Sequence, residues 1–342
     1  MNTSSDDSTL PWLAGPAHDI ATRQRGHALL VQGNAGAGVF ELALRVARTW
    51  LCETAGADAP CGRCTACHLL STNSHPDFLA LLPELTQVEL GWSVGGNDAP
   101  EAGDGEGKSK RKPSKEIRIE AVRDAIGWTQ KSSSRGRAKV LLLFPADAMN
   151  LVASNALLKT LEEPPEGVRL LLVAEDAERL LPTLRSRCQR LLFDGPTPEQ
   201  ALAWLQGQGV ASAPVLLAAA GGQPLAARRL AAEGFDAAAW IALPRRVADG
   251  RWDPPAGATI PRLREVLQKL CHDAMAMAAG AEPRYFPASS LPPVAAWPRL
   301  ADWSQSLARL ARHDEHPFNA PLITDSLLTE AKAVWAKARR AG

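Results

Sequence analysis

The sequence has almost no excess of charge of either sign. Its 38 lysines and arginines balance 37 aspartates and glutamates, which leaves a formal charge of +1 over 342 residues. A protein that is basic over its whole surface, as a general nucleic-acid coat would be, is therefore excluded, although a local basic patch is compatible with this balance. Hydrophobic residues make up 46% of the chain, which is typical of a globular protein with a buried core.

Long apolar runs are also lacking, and we expect no secretory signal at the N-terminus. A membrane-spanning helix needs about 18–20 consecutive apolar residues, whereas runs such as residues 140–144 have only the length of a strand. The first ten residues contain two aspartates and lack the basic and then apolar segments of a secretory signal. We therefore expect a protein without membrane contact that resides in the cytoplasm.

Alternating strand and helix patterns predict an α/β fold for the first half of the chain. Apolar runs at 27–32, 138–144 and 168–175 are typical of buried strands, and segments with the apolar spacing of a helix lie between them. Such alternation predicts a parallel sheet with flanking helices. From residue 196 the strand patterns stop, and helical periodicity with proline breaks predicts an all-α C-terminal part.

Residues 91–116 differ in composition from the rest of the chain. They contain six glycines, an acidic block and then a basic block, with almost no apolar residue after Val94. Such a segment has too little apolar surface to order itself, so it predicts a flexible, solvated insertion within a domain. Contact of its KSKRK tract with DNA is an alternative.

Four cysteines are clustered within sixteen residues: Cys52, Cys61, Cys64 and Cys67. In a reducing compartment this spacing indicates a metal site, and four thiolates close a tetrahedral, structural Zn²⁺ site. An iron–sulfur cluster and a set of unconnected buried cysteines are alternatives. Cys52 is the least certain ligand, because His68 or His75 could supply the fourth bond instead.

The loop from Gly33 to Gly38, GNAGAG, has the glycine spacing of a Walker A loop, GxxxxGK[ST]. Gly33, Gly36 and Gly38 would let backbone N–H groups approach a phosphate at a helix N-terminus. However, Val39 and Phe40 stand where that motif has the phosphate-binding lysine and the Mg²⁺-binding hydroxyl. This degenerate P-loop therefore predicts the geometry of a nucleotide-binding fold without a bound triphosphate.

A second departure follows the strand at 138–144. An ATPase carries Asp-Glu there to hold metal and water, whereas this chain has Phe144 and Pro145, and Asp147 is displaced by three positions. Two independent losses argue that hydrolysis is not the task of this chain.

Several motifs occur together in a recognisable order: PWL (11–13), HALLVQGNAGAG (27–38), the four cysteines, HPDF (75–78), SNALLKTLEEPP (154–165), LPTLRSRCQ (181–189) and LITDSLL (322–328). With these motifs the chain resembles the delta-prime family of bacterial DNA polymerase III clamp-loader subunits, a branch of the AAA+ proteins. The missing Walker residues distinguish it from the ATP-hydrolysing gamma/tau subunits.

The resemblance implies a domain plan. It implies an α/β AAA+ core over 1–195, a helical lid over 196–234 and an all-α collar, an oligomerisation domain, over 235–342. Within the core it implies an inserted zinc module at 52–67, and the insertion at 91–116 is extra relative to the family. The collar would pack with its counterparts in a five-subunit ring.

The resemblance also implies a function and site residues. The chain would be a non-hydrolysing stator of the clamp loader, with gamma/tau and delta as partners, and would reach the beta sliding clamp and primed DNA through the complex. Arg187, in the Ser-Arg-Cys motif, would be an arginine finger for a neighbour's ATP. Pro224 and residues 174–175 replace the lid arginine and sensor threonine of clamp-loader ATPases.

Two other functions are alternatives to this interpretation. One is a gamma/tau-like ATPase with a divergent P-loop, for which the nearest basic residue in the following helix, Arg45, lies about two turns inside. The other is a zinc-ribbon DNA-binding protein, which the near-zero net charge and the lack of a basic, aromatic-rich segment near the cysteines disfavour.

Overall fold

The computed structural model describes residues 10–24, 26–54, 56, 59–92, 113–252, 259–311 and 319–336. The chain divides into two compact units, residues 1–195 and residues 196–342. Within the described ranges, none of the helices combines the length and the apolar character needed to cross a membrane.

The first unit contains a five-stranded parallel sheet. Its strands are β1 (Ala28–Gly33), β2 (Phe78–Leu81), β3 (Lys139–Leu143), β4 (Val168–Ala174) and β5 (Gln189–Phe193). Their order is β2-β3-β4-β1-β5, and every pairing in it is parallel. The predicted parallel sheet is confirmed, and the short edge strand β2 is an addition to it.

Helices flank this sheet: α1 (Ala14–Arg23), α2 (Val39–Leu51), α3 (Thr65–Ser71), α4 (Glu84–Glu89), α5 (Ile119–Thr129), α6 (Leu151–Glu162) and α7 (Pro182–Arg185). The residues of β3 are all buried, and those of β4 are buried except Arg169. These strands form a core with α5 and α6, which bury apolar side chains such as Val122 and Leu157 against them. The flanking helices predicted from apolar periodicity are thereby confirmed.

All the regular secondary structure described in the second unit is helical. Its helices are α8 (Pro198–Gly207), α9 (Ala213–Ala219), α10 (Pro224–Ala232), α11 (Ala237–Ala248), α12 (Ile260–Ala278), α13 (Trp297–Ala311) and α14 (Ala320–Trp335). The all-α character predicted from residue 196 onward is confirmed. The separation into a lid at 196–234 and a collar at 235–342 stays a prediction.

The predicted flexible insertion lies mostly outside the described residues, which include only 91–92 and 113–116 of it. Its acidic block and its KSKRK tract (108–112) are therefore not part of the described structure. At its C-terminal end, the Ser114 amide donates to the Glu84 carboxylate at 2.9 Å and the Leu85 amide donates to the Ser114 carbonyl at 3.0 Å. These bonds tie residue 114 to the start of α4.

Because the strands are parallel, the sheet has one edge where all strands begin and another where all strands end. We call these the amino edge and the carboxyl edge. The GNAGAG loop follows β1 and Glu175 follows β4, so both lie at the carboxyl edge. Arg187 precedes β5, and Glu162 ends the helix before β4, so both lie toward the amino edge. This placement puts the GNAGAG loop and Arg187 at opposite edges of the sheet.

Candidate functional site

The four clustered cysteines converge in space. The Sγ atoms of Cys52, Cys61, Cys64 and Cys67 all lie within 4.8 Å of one another, and all six cysteines of the chain are free thiols. The Cys52 and Cys64 sulfurs are 3.9 Å apart. Ligands at about 2.3 Å from a tetrahedral zinc ion are separated by nearly this distance, so the cluster could hold one metal ion.

Local hydrogen bonds favour the thiolate form within this cluster. The Cys61 amide donates to the Cys52 sulfur, and the Cys67 amide donates to the Cys64 sulfur, each at 3.4 Å. A hydrogen bond with the Thr54 side chain is the main cause that lowers the pKa of Cys61 to about 6. The effect at Cys67 is the opposite, because burial raises the pKa of that thiol. The partly charged, closely spaced sulfurs fit a divalent cation, which binds thiolates and would neutralise them.

The loop before β3 holds this module against the sheet. The Arg137 guanidinium donates to the Cys52 carbonyl and, at 3.4 Å, to the Glu53 carbonyl. Arg135 forms an ion pair with the Glu53 carboxylate. The hydrogen bond within this pair lowers the pKa of Glu53. Cys52 is thereby anchored through its own backbone, which supports it as the fourth ligand.

A buried aspartate of the HPDF motif fixes the same loop. The fully buried Asp77 carboxylate accepts hydrogen bonds from the Ser134 amide at 2.8 Å, the Arg135 amide at 3.0 Å and the Ser133 hydroxyl at 3.1 Å. His75 is also buried, and its Nδ1 accepts from the Asp77 amide at 3.1 Å. Among the described residues, the group of converging ligand atoms contains neither His68 nor His75.

The GNAGAG loop is closed by hydrogen bonds within the protein. It forms a short 3₁₀ turn in which the Gly36 amide donates to the Asn34 side chain at 2.9 Å. The Ala37 amide donates to the Asn34 carbonyl at 3.0 Å, and the Gly38 amide donates to the Ala35 carbonyl at 3.1 Å. The donors with which a P-loop binds phosphate are thus already occupied at these three positions.

A carboxylate occupies the remaining donor of this turn. The Ala35 amide donates to Glu175 Oε1 at 2.8 Å. Gln32 of β1 pairs in register with Ala174 of β4, so Glu175 emerges from the sheet directly beside the loop. Glu175 therefore supplies the loop with an internal anion.

The residues that replace the Walker lysine and hydroxyl are core residues. Val39 and Phe40 are buried, and the Phe40 ring stacks on Phe144 with centroids 4.6 Å apart. Phe40 also approaches Trp92 at 5.9 Å. Both departures from the ATPase motifs, at Phe40 and at Phe144, therefore meet in one apolar cluster. Asp147 lies beyond this cluster, where Arg179 approaches its carboxylate at 3.5 Å.

Glycine is required at the ends of this loop. A side chain on Gly33 would bring its Cβ to 2.9 Å from the Phe193 carbonyl, and Gly38 has a φ of +97°, which favours glycine. The glycine spacing is therefore explained by close strand packing and by the turn into α2.

Arg187 is held by the two elements next to it. Its Nε donates to Glu162 Oε1 at 2.7 Å and its Nη2 donates to the same oxygen. Its Nη1 donates to the Thr183 carbonyl at 2.7 Å. The side chain is 34% exposed, so the guanidinium is ordered and still open to solvent.

Arg187 and the degenerate loop lie at opposite edges of the sheet. The five-residue strand β5 separates Arg187 from the residues that pack on Gly33. At 3.3 Å per residue this strand spans about 16 Å. An arginine side chain is far shorter, so Arg187 has no access to the loop of its own chain.

Three further contacts could not be found from sequence patterns: the Glu175 bond to the loop, the Glu162 bond to Arg187, and the clamp of Arg137 on Cys52. Each joins residues far apart in the chain, and only the register of neighbouring elements brings them together. The carboxylates of LEEPP and of the segment after β4 are visible in the sequence, but nothing in the pattern indicates their partners.

A model of the family described as DNA polymerase III, delta subunit, matches residues 16–197. The chain is 36% identical over 230 residues to the protein named DNA polymerase III subunit delta' of Pseudomonas aeruginosa, and the alignment covers 66% of this chain and 62% of that protein. It is 30% identical over 176 residues to the protein named DNA polymerase III subunit tau of Escherichia coli, covering 52% of this chain and 23% of that protein.

The matches leave part of each relative uncovered, and the chain spans about three fifths of the length of the Pseudomonas protein. Among solved structures, a gamma subunit-related protein from Thermotoga maritima aligns with 94% of this chain and 99% of its own length, at 16% identity and a TM-score of 0.45.

Proposed function

Because this chain belongs to the DNA polymerase III delta subunit family, we propose that it is a subunit of a sliding-clamp loader and a component of the DNA polymerase III holoenzyme. In this role it is a stator that assembles with gamma/tau-type ATPase subunits and a delta subunit in the cytoplasm. Through that complex it helps to place the beta clamp on primed DNA. The core at 1–195, the lid at 196–234 and the collar at 235–342 are the domains of this assignment.

We further propose that the chain binds no ATP and hydrolyses none. The observation that carries this proposal is the closed GNAGAG loop, whose amides at positions 35–38 all donate to acceptors within the protein. Triphosphate binding would need these donors, a lysine and a metal-binding hydroxyl. Val39 and Phe40 supply an apolar core there instead.

Arg187 is proposed to act on the ATP of a neighbouring ATPase subunit. During hydrolysis the water oxygen bonds to the γ-phosphorus while the bond from that phosphorus to the bridging oxygen breaks. Negative charge then lies on the γ-phosphate and leaving-group oxygens, and a guanidinium directed at them stabilises the transition state. The position of Arg187, at the edge opposite its own degenerate loop, supports action in trans.

The cysteine cluster is proposed to hold one structural Zn²⁺. Cys52, Cys61, Cys64 and Cys67 supply all the ligands of a closed tetrahedral site, which leaves no position for a substrate. A bound ion would cross-link the C-terminal end of α2 to the start of α3. Zinc in this chain therefore contributes to folding and has no part in ATP hydrolysis by the complex.

The test is reconstitution of the full-length chain with gamma/tau and delta subunits. The chain should co-elute with both, and the complex should load clamps while the chain alone hydrolyses no ATP. A monodisperse chain that ignores both partners would overturn the assignment. ATP hydrolysis by the purified chain alone would instead favour a gamma/tau-like ATPase with a divergent P-loop.

A further inference from the structure

Glu162 is the last residue of α6, and its carboxylate faces Arg187. One oxygen, Oε1, accepts hydrogen bonds from both Nε and Nη2 of the guanidinium. The Thr183 carbonyl of α7 accepts from Nη1 at 2.7 Å. The guanidinium plane is therefore fixed from two sides, by two helices that are separate in the chain.

This ion pair is too exposed to contribute much to folding. The Arg187 side chain is 34% exposed and the Glu162 side chain 47% exposed, so water screens both charges. Its main physical effect is to restrict the direction of a long side chain that otherwise samples many rotamers. The expected consequence of the pair is orientation of the guanidinium, with little effect on the stability of the fold.

The pairing leaves donors for another anion. A guanidinium has five N–H groups, and three are used, two by Glu162 and one by Thr183. The remaining two are divided between the two terminal nitrogens. A guanidinium held in this way keeps one donor on each terminal nitrogen for the oxygens of a phosphate.

We propose that Glu162 is a positioning residue for Arg187, and that it orders the guanidinium for contact with the γ-phosphate of ATP on the neighbouring subunit. This inference rests on the proposed trans function of Arg187. Glu162 does not touch the nucleotide. It acts by ordering the arginine before the ring assembles, so that less conformational freedom is lost during hydrolysis.

The experiment compares four variants in the reconstituted clamp loader: Glu162→Ala, Glu162→Gln, Arg187→Ala and the double variant Glu162→Ala with Arg187→Ala. Glu163→Ala is the matched control, because Glu163 is an exposed glutamate one residue further along the same segment. Clamp loading on primed DNA and DNA-stimulated ATP hydrolysis are measured for each, with thermal unfolding of each variant chain.

Glu162→Ala should lower the clamp-loading rate by about 2- to 12-fold, the loss expected when one long side chain must be ordered during the reaction. Glu162→Gln, which keeps an acceptor oxygen, should recover part of that loss. The double variant should be no slower than Arg187→Ala, because Glu162 acts only through Arg187. The unfolding temperature and the control should match the wild type.

Other results distinguish a failure of the inference about Glu162 from a failure of the proposed role of Arg187. Wild-type rates for Glu162→Ala, with Arg187→Ala impaired, would overturn this inference and leave the trans role of Arg187 intact. A Glu162→Ala complex faster than wild type would identify Glu162 as a competitor of the phosphate. Additive losses in the double variant, or loss of assembly, would assign Glu162 a structural role. Wild-type rates for Arg187→Ala would remove the proposed finger itself.

Discussion

The carboxylate of Glu175 accepts a hydrogen bond from the Ala35 amide at 2.8 Å, inside a loop that has the glycine spacing of a phosphate-binding motif. A side-chain anion thus takes one of the four amides at positions 35–38, and loop carbonyls and the Asn34 side chain take the other three. Loss of the Walker lysine alone would leave an open, weak anion site. The internal contacts close that site, so the loop keeps its turn geometry with these four backbone donors satisfied.

Restoring the two Walker side chains should not restore nucleotide binding. In the variant Val39→Lys with Phe40→Thr, the loop amides keep their internal acceptors, so we expect no heat of Mg·ATP binding by calorimetry. Both positions are buried in the core. The free energy of unfolding should therefore fall by about 3 kcal/mol or more, since an aromatic core residue is lost and a charge is placed in the interior.

Glu175→Gln is the companion variant for this prediction, because its amide oxygen still accepts from Ala35 while the charge is removed. It too should bind no Mg·ATP. Steady-state hydrolysis above background by the wild-type chain, abolished by Gly38→Ala, would contradict the prediction and revive the ATPase interpretation.

Metal content provides a separate test of the cysteine cluster. Protein purified without chelator should contain about one equivalent of zinc, as expected for a four-ligand structural site. Cys64→Ser should lower both the zinc content and the unfolding temperature, because metal binding contributes to folding. Cys271→Ser is the control, since Cys271 is buried in the helical unit and lies outside the cluster. Folded wild-type protein without metal would refute the assignment.

Periodic apolar patterns explain why most of the fold could be predicted from the sequence. The runs that became β1, β3 and β4 are buried strands, and α2 begins at Val39, where the helical spacing starts. β2 escaped prediction because it is a four-residue edge strand with one buried residue, too short for a clear pattern.

The candidate sites were predictable only where they are local in sequence. The cysteine and glycine spacings place their residues within one short segment, and the structure brings each set together. Glu175 and Ala35 are 140 positions apart, and Glu162 and Arg187 are 25 apart. These contacts depend on strand register and helix packing, which the spacing of residue types does not encode.

Arg187→Ala should reduce the activity of the clamp loader without lowering the stability of the chain. We expect unchanged zinc content, unfolding temperature and assembly, because the ion pair with Glu162 is exposed. An arginine finger contributes about 10³–10⁵ in rate at one site. Since this chain would serve one site of several in a ring, total DNA-stimulated ATPase should fall only in part, with a larger loss in clamp loading.

Arg187→Lys is the informative second variant for this residue. Lysine keeps the charge but loses the planar fork, so it should rescue little of the clamp-loading rate. Wild-type ATPase and loading by a fully assembled Arg187→Ala complex would make Arg187 an ordinary surface residue.

A buried carboxylate organises the helical unit and should be important for its stability. Asp273 on α12 is fully buried, and it accepts from the amides of Arg284, Tyr285 and Phe286 at 2.8–2.9 Å. Asp273→Ala leaves these donors without an acceptor, and each buried unsatisfied group costs about 1–3 kcal/mol. We expect at least about 3 kcal/mol lower stability by urea denaturation, compared with Asp325→Ala on an exposed helix position. Equal midpoints for both variants would refute this role.

His75 should make the first unit less stable in mild acid. Burial is the main cause that lowers the pKa of this histidine below its usual value of 6.5. Its Nδ1 also accepts a hydrogen bond from the Asp77 amide, which requires that nitrogen to be unprotonated. The folded protein therefore favours neutral His75, whereas the unfolded chain takes up a proton once the pH falls below about 6.5.

Folding stability therefore decreases as the pH is lowered, because the unfolded chain binds more protons than the folded protein. Because the folded pKa is depressed, the contribution of His75 to stability is fully present above about pH 6.5 and is lost as the pH falls toward the folded pKa. The loss is at most about 1.4 kcal/mol per pH unit for one group. His75→Asn keeps a side-chain acceptor for the Asp77 amide two residues later but removes the titration. Urea denaturation between pH 7.5 and 5 should show wild type losing stability relative to His75→Asn. Parallel pH profiles for wild type and His75→Asn would show that the buried ring does not control acid sensitivity.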